Sequence, residues 1–301
     1  MPLCLFFTKL RCIMNIQWFP GHMAKTRRQI EEKLKLIDVV VEILDARIPV
    51  SSQNPDISEM TKGKPRVAVL NKADLADETV TKQWVSFYKQ NNVEVTLADC
   101  AKGRGINESV AAVKRALAEK LSNDSEKGMN RAIKILVAGV PNVGKSSYIN
   151  RLSGNRRAAV GDRPGVTRGQ QWIRLKNGIE LLDTPGILWP KFEDETVGLH
   201  LAFTGSIKDE IIDTELLACK LAEFLNQNYR ELFCARYKLE NTEGLQGFEL
   251  VELLGRKRGF VVSGGEIDFL RASNILLDEF RAGKIGRISL EKPEDLEVSV
   301  Q

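Results

Sequence analysis

The chain has 301 residues, 43% hydrophobic and 28% charged, with 44 Lys+Arg against 40 Asp+Glu for a net charge of +4. That length accommodates one α/β domain with a smaller companion, and no apolar run is long enough to span a bilayer. Five cysteines (Cys4, Cys12, Cys100, Cys219 and Cys234) show neither paired metal spacing nor the density of a disulfide scaffold, so a reducing, cytoplasmic setting is expected. The charge is uneven. Residues 200–301 carry 13 Lys+Arg against 18 Asp+Glu, a net −5 that leaves +9 for residues 1–199.

Residues 1–13 contain Leu3-Cys4-Leu5-Phe6-Phe7, too short for a signal-peptide core and without a small-residue cleavage site. They read as an N-terminal extension, with Met14 as an alternative start; Lys9 and Arg11, with no acid nearby, keep a short organellar targeting segment open. An amphipathic helix over Ala24–Leu36 carries Lys25, Arg27, Arg28, Lys33 and Lys35. Then come a strand over Val39–Leu44, a loop at Asp45-Ala46-Arg47-Ile48-Pro49 and a strand over Pro65–Leu70. A helix near Glu78–Gln90, a strand starting at Val93 and a helix from Asn107 to about Leu121 follow. The polar stretch Ser122–Gly128 reads as part of a linker over about 122–130. A buried strand over Ile133–Ala138 leads into Gly139-Val140-Pro141-Asn142-Val143-Gly144-Lys145-Ser146 and a helix over Ser147–Leu152. The run Ile179–Leu182 ends in Asp183-Thr184-Pro185-Gly186. From about Asp213 onward Thr214–Asn226, Phe248–Leu254 and Ile267–Phe280 all show helical spacing. Strand alternating with helix predicts an α/β, doubly wound, mostly parallel sheet with ligands at the carboxyl ends of the strands, followed by a small helical domain.

Four of these segments form a set. In the glycine-rich loop, backbone N–H groups of Pro141–Ser147 approach phosphates, Lys145 reaches the β and γ phosphates, and the Ser146 hydroxyl takes Mg²⁺. Proline aside, each residue there has an N–H to offer. The Asp183 carboxylate holds Mg²⁺ through water, and Gly186 offers an N–H to the γ-phosphate. Asp74 of Asn71-Lys72-Ala73-Asp74 accepts from guanine N1–H and the N2 amine, which adenine lacks, while the Lys72 stem covers the ring. The competing reading of that motif is a helix cap ahead of Leu75-Ala76-Asp77-Glu78. Cys100-Ala101-Lys102 resembles the Ser-Ala-Lys loop that backs the guanine, with cysteine as a departure. These are the motifs of a GTPase in the wrong order, since the guanine-reading motif precedes the phosphate loop. The order predicts a circularly permuted P-loop G domain over 14–206 and a helical C-terminal domain over 207–301. The segment from Ile187 to about Ser206 would then connect the γ-phosphate contacts covalently to that domain.

With these motifs in place, the chain resembles the ribosome biogenesis GTPase A family, the YlqF type of circularly permuted GTPases. The resemblance is carried by Trp18-Phe19-Pro20-Gly21-His22-Met23, Asp45 to Pro49, Gly161-Asp162-Arg163-Pro164-Gly165-Val166-Thr167, Asp183 through Trp189-Pro190-Lys191, and Ser263-Gly264-Gly265. It implies GTP or GDP and Mg²⁺ as ligands, and partners in the large ribosomal subunit precursor with its rRNA and ribosomal proteins. It also implies GTP-dependent help in late assembly, with no membrane and a monomeric chain. Ile187 stands where many small GTPases orient the attacking water with glutamine. By resemblance, His22 supplies the group acting on that water. Thr167 donates its hydroxyl to Mg²⁺ and its N–H to the γ-phosphate, and Asn142 occupies a position at which related glutamine-less GTPases help to bind K⁺.

His200 reads as an incidental surface residue. The basic clusters Arg151, Arg156, Arg157, Arg163 and Arg168, Arg256-Lys257-Arg258, and Arg281 to Arg287 are open to two readings: RNA phosphate contact, or solvated faces and helix-end charge. Three other functions compete, namely a P-loop ATPase or small-molecule kinase, a module that holds GTP without turnover, and a GTPase serving another RNA.

Overall fold

A computed structural model describes residues 31–129, 131–154, 171–175, 178–183 and 194–298. These divide into two compact units, one running from 31 to 183 with 289–298 added, the other from 194 to 288.

The first unit is built on a six-stranded sheet: β1 Val39–Asp45, β2 Arg66–Asn71, β3 Glu94–Leu97, β4 Ile133–Ala138, β5 Gln171–Arg174 and β6 Ile179–Asp183, in the order β3-β2-β1-β4-β6-β5. All pairings are parallel except β5–β6, which is antiparallel at the edge. Every residue of β1 is buried, as a central strand covered on both faces requires. One face packs Leu44, Leu70, Val80, Trp84 and Tyr88 beneath α2 (Glu78–Gln90). The same face, further back along β1, packs Val40, Leu136 and Leu182 against Ile57 of α1 (Pro55–Met60). Glu42, the one charged residue inside β1, is salted to Arg66 of β2; burial pushes its carboxyl above the usual range and Arg66 pulls against that.

Because the strands run in parallel, their carboxyl ends line up. Asp45 lies in register with Asn71, Leu70 with Leu97, and Val137 with Asp183. The chain reverses its winding between β1 and β4, the switch point where an open α/β sheet leaves a crevice.

Two expectations change in this unit. The stretch read as a linker is helical through Glu126: α3 (Ile106–Ala116) is followed by α4 (Ala118–Glu126), which has no buried residue. Its last turn is tied down by Arg131, which bonds Asp124 and also Asp38 at the start of β1, so only the residues after Gly128, at φ +67°, form the connection. Residues 289–298, expected in the helical domain, belong to the sheet unit. The Leu290 N–H bonds the Arg47 carbonyl at 2.9 Å, and the Trp84 indole N–H donates to the Glu291 carbonyl at 3.1 Å.

The second unit is all helical: α6 Glu195–Phe203, α7 Thr214–Asn228, α8 Arg230–Tyr237, α9 Gly247–Arg258 and α10 Phe269–Arg281, with a 3₁₀ turn at Asp209–Ile211. It begins earlier than the expected 207 because α6 packs on α7 and α10. The central helix is α7, whose Leu217, Leu221 and Leu225 are fully buried. Gly247 lets α9 close on it, since a Cβ there would sit 2.4 Å from the Cys219 carbonyl oxygen. His200 is buried in α6 rather than on the surface.

Three arginines of this unit's basic patches have partners within the unit. Arg258 pairs with the buried Glu279 and lies over the Tyr237 ring, and Arg256 pairs with Glu252. Arg281 holds the carbonyls of Ala202 and Phe203 as well as Asp209. Gly259, at φ +70°, caps α9 as the helix-end reading expected.

Candidate functional site

The glycine-rich loop joins β4 to α5 (Lys145–Ser153). Asn142 at φ +58° and Gly144 at φ +98° put alternate residues in the left-handed region, which turns backbone N–H groups toward one concavity. Gly144 has no substitute there: a Cβ would lie 2.2 Å from the Asn71 side-chain nitrogen. Lys145 is the first residue of α5 and is 5% exposed, while the first turn of the helix contains no acid. A cation at a helix N-terminus opposes the helix dipole, and an anion bound there offsets that opposition. Ser146 and Ser147 follow in the same first turn.

Asn71 ends β2 and, although buried, spends its side chain on both neighbouring loops. Its amide nitrogen donates to the Val143 carbonyl at 2.7 Å, and its amide oxygen accepts from the Cys100 N–H at 2.9 Å. The phosphate loop and the presumptive guanine loop are thus pinned to one residue. This explains why cysteine is tolerated at position 100. The position contributes its backbone, while the thiol is buried and pushed up to about 12, first by desolvation and then by Asp99. Arg151 of α5 adds a further link by donating to the carbonyls of Cys100 and Ala101, so one arginine of the supposed RNA cluster is structural.

Asp74 is not a helix cap. That role belongs to Asp77, which accepts from the Thr79 and Val80 N–H groups. The Asp74 carboxylate instead faces the Lys102 ammonium at 2.7 Å, and Lys102 also reaches Asp99 at 3.1 Å. Asp74 and Lys102, at 31% and 56% side-chain exposure, stand at the open edge of the site. Lys72, at φ +58°, points its ammonium at Asp45 over 3.0 Å. Asp45 is buried and also bonds the Arg47 guanidinium at 2.9 and 3.0 Å. Burial alone would raise its carboxyl, but Arg47 and then Lys72 hold it well below the usual carboxylate range. Arg47 is itself only 1% exposed. Sequence reading assigned no role to this pair; the available signal was an aspartate ending a strand that is apolar but for Glu42.

The structure therefore brings Asn71, Lys72, Asp74, Cys100, Ala101, Lys102 and the loop Pro141–Ser147 to one end of the sheet. The backbone of Asp183 reaches the same end through β6. His22, Thr167 and Gly186 lie outside the described residues, as do Arg156, Arg157, Arg163 and Arg168. Among the described residues no cluster of three or more His, Cys, Asp or Glu could hold a metal ion, and no helix is long and apolar enough to cross a membrane.

Comparison with known proteins agrees with this geometry. The family described as 50S ribosome-binding GTPase matches residues 134–233. Ribosome biogenesis GTPase A of Bacillus licheniformis is 49% identical over 284 residues, covering 94% of this chain and 100% of the relative. The GDP-bound structure of Thermotoga maritima YlqF superposes with a TM-score of 0.63 at 32% identity, covering 89% of this chain and 100% of that one. The GNP-bound form of the same protein gives 0.61, also at 32% identity, covering 90% and 99%.

Proposed function

The chain belongs to the ribosome biogenesis GTPase A family and is a GTPase, and on that premise we propose that it binds the maturing large ribosomal subunit and hydrolyses GTP to promote a late step of its assembly. The observation that carries the nucleotide part is Asn71, which ties the phosphate loop to the Cys100 loop and leaves Asp74 and Lys72 beside both. The permuted order then costs nothing, because the pocket depends only on the strand ends meeting.

In this reading the N–H groups of the 141–147 loop and the Lys145 ammonium bind the phosphates, Asp74 reads the guanine, and Lys72 covers it. Reading guanine requires Lys102 to share or yield the Asp74 carboxylate. Mg²⁺ is a hard cation that keeps much of its water, which suits a site offering two hydroxyls, from Ser146 and Thr167, with Asp183 acting through water. When bound, it neutralises phosphate charge. Asn142 adds a carbonyl oxygen beside the phosphates for K⁺. His22 orients and deprotonates the attacking water as a neutral imidazole, because Ile187 has no hydrogen-bonding group for that purpose. The partners would be rRNA and ribosomal proteins of the large subunit, met by a monomer in the cytoplasm.

Ile187 also implies slow intrinsic turnover. Steady-state GTP hydrolysis with and without purified large ribosomal subunits, in potassium and in sodium buffer, is expected to show strong stimulation by subunits in potassium. His22→Ala is expected to lose most of that stimulation while retaining GTP binding. Equal rates in every condition would remove the ribosome-dependent reading, and a His22→Ala enzyme stimulated like the parent would remove the catalytic role of His22.

A further inference from the structure

The loop after β1 is closed on itself and held from outside. Within it, Ser52 Oγ accepts from the Asp45 N–H at 3.0 Å and donates to the Ile48 carbonyl at 2.7 Å, while the Asp45 carboxylate accepts from Arg47 and meets Lys72. The outer half of the loop takes its partners from a residue 240 positions away in sequence. The Glu291 carboxylate accepts from the Val50 N–H at 2.7 Å, from the Ser51 N–H at 3.0 Å and from the Ser51 hydroxyl. Leu290 adds its bond to the Arg47 carbonyl, and Ser289 Oγ accepts from the Asp77 N–H at 3.2 Å, at the start of α2. Glu291 is 7% exposed. Burying a carboxylate is a poor way to gain stability compared with an apolar side chain of the same size. Two consecutive N–H groups converging on one carboxylate do, however, fix a backbone closely.

We propose that Glu291 is a positioning residue for the guanine site: by fixing the 45–52 loop, it holds the Asp45 carboxylate where that group orients the Lys72 ammonium, so the C-terminal segment sets guanine-nucleotide affinity. The chain reaches this segment directly from the helical unit, which ends at Ile288. A load on that unit therefore has a covalent route to the base end of the nucleotide, separate from the route through Asp183 and the phosphates. The inference rests on the reading of Lys72 as the lysine that covers the guanine.

A double-mutant cycle on the full chain tests it, with release of a fluorescent N-methylanthraniloyl-GDP as the readout. Glu291→Gln keeps one acceptor oxygen but sets an amide NH2 where the other N–H group needs an acceptor, and it is expected to speed release about fivefold in the parent background. In a Lys72→Ala background, the same change is expected to alter release by less than about twofold, because the residue through which Glu291 acts is gone. Trp84→Phe removes the indole bond to the Glu291 carbonyl without touching the carboxylate; it serves as the control for loosened packing and should lower the thermal midpoint but not speed release. If Glu291→Gln does not fold, Ser51→Ala takes its place with the same expected pattern. Unchanged release in the parent background, or equal acceleration in both backgrounds, would overturn the proposal. If Lys72→Ala itself releases GDP at the parent rate, the guanine-site reading of Lys72 falls, and the role of Glu291 falls with it.

Discussion

Replacing Lys145 with alanine is expected to lower GTP turnover at saturation by about 10²–10³-fold, the usual consequence of removing one preorganised group that stabilises developing phosphate charge. The same change should also weaken GDP binding. Lys145 opens a nine-residue helix whose first turn has no acid, and the residue is only 5% exposed. A cation at that end opposes the helix dipole by about 0.3–1 kcal/mol, which offsets part of what its own contacts contribute to the nucleotide-free protein. Thermal midpoints measured with and without GDP separate the two effects. The parent should gain more from GDP than the variant, because ligand stabilisation follows affinity. A variant with parental turnover, or one whose nucleotide-free form melts much earlier, would show that Lys145 is a structural residue.

Arg47→Ala is expected to destabilise the sheet unit by about 3 kcal/mol, near the low end of the 3–5 kcal/mol range for removing one partner of a buried pair. The low end is appropriate because Lys72 would still face Asp45. The pH dependence has a definite sign. Asp45 titrates lower in the folded chain than when unfolded, so its stabilisation is complete above the ordinary carboxylate pKa of about 3.9 and is lost only as pH falls through the depressed folded value. Without Arg47 the folded value rises and the acid limb of stability moves toward neutral pH. Urea titrations of both proteins at several pH values between neutrality and the acid limit measure this. Parallel curves offset by less than about 1 kcal/mol would contradict the account, since that is the scale of an exposed pair.

Much of the fold was legible because its signals are local. Apolar runs such as Val39–Leu44 and Ile133–Ala138 bounded by polar turns declare buried parallel strands, and a glycine-rich loop between a strand and a helix declares its ligand class. The motif order alone disclosed the permutation, since Asn71 lies before Gly144 in sequence while the two touch in space. What was not legible depends on pairings between distant residues. Nothing near Glu291 in sequence announces that it serves Val50 and Ser51, and nothing near Arg151 announces the carbonyls of Cys100 and Ala101. Charge counts carry the same limit: Arg256, Arg258 and Arg281 stand in the sequence as bare charges, while the structure pairs them with Glu252, Glu279 and Asp209. The polar run Ser122–Gly128 has weak helix propensity, but the preceding helix and Arg131 carry it into a further turn.

The claim that the permuted loops assemble a guanine-specific site is tested most directly by competition binding. GTP, ATP and XTP are titrated against fluorescent GDP on the parent and on Asp74→Asn. The account predicts that GTP displaces the probe from the parent while ATP and XTP do so only at far higher concentration. Asp74→Asn should invert the order toward XTP, because xanthine carries an oxygen where guanine carries the N2 amine, and an asparagine amide can donate to it. Displacement of the probe by ATP as readily as by GTP, or an unchanged preference for GTP in Asp74→Asn, would contradict the account.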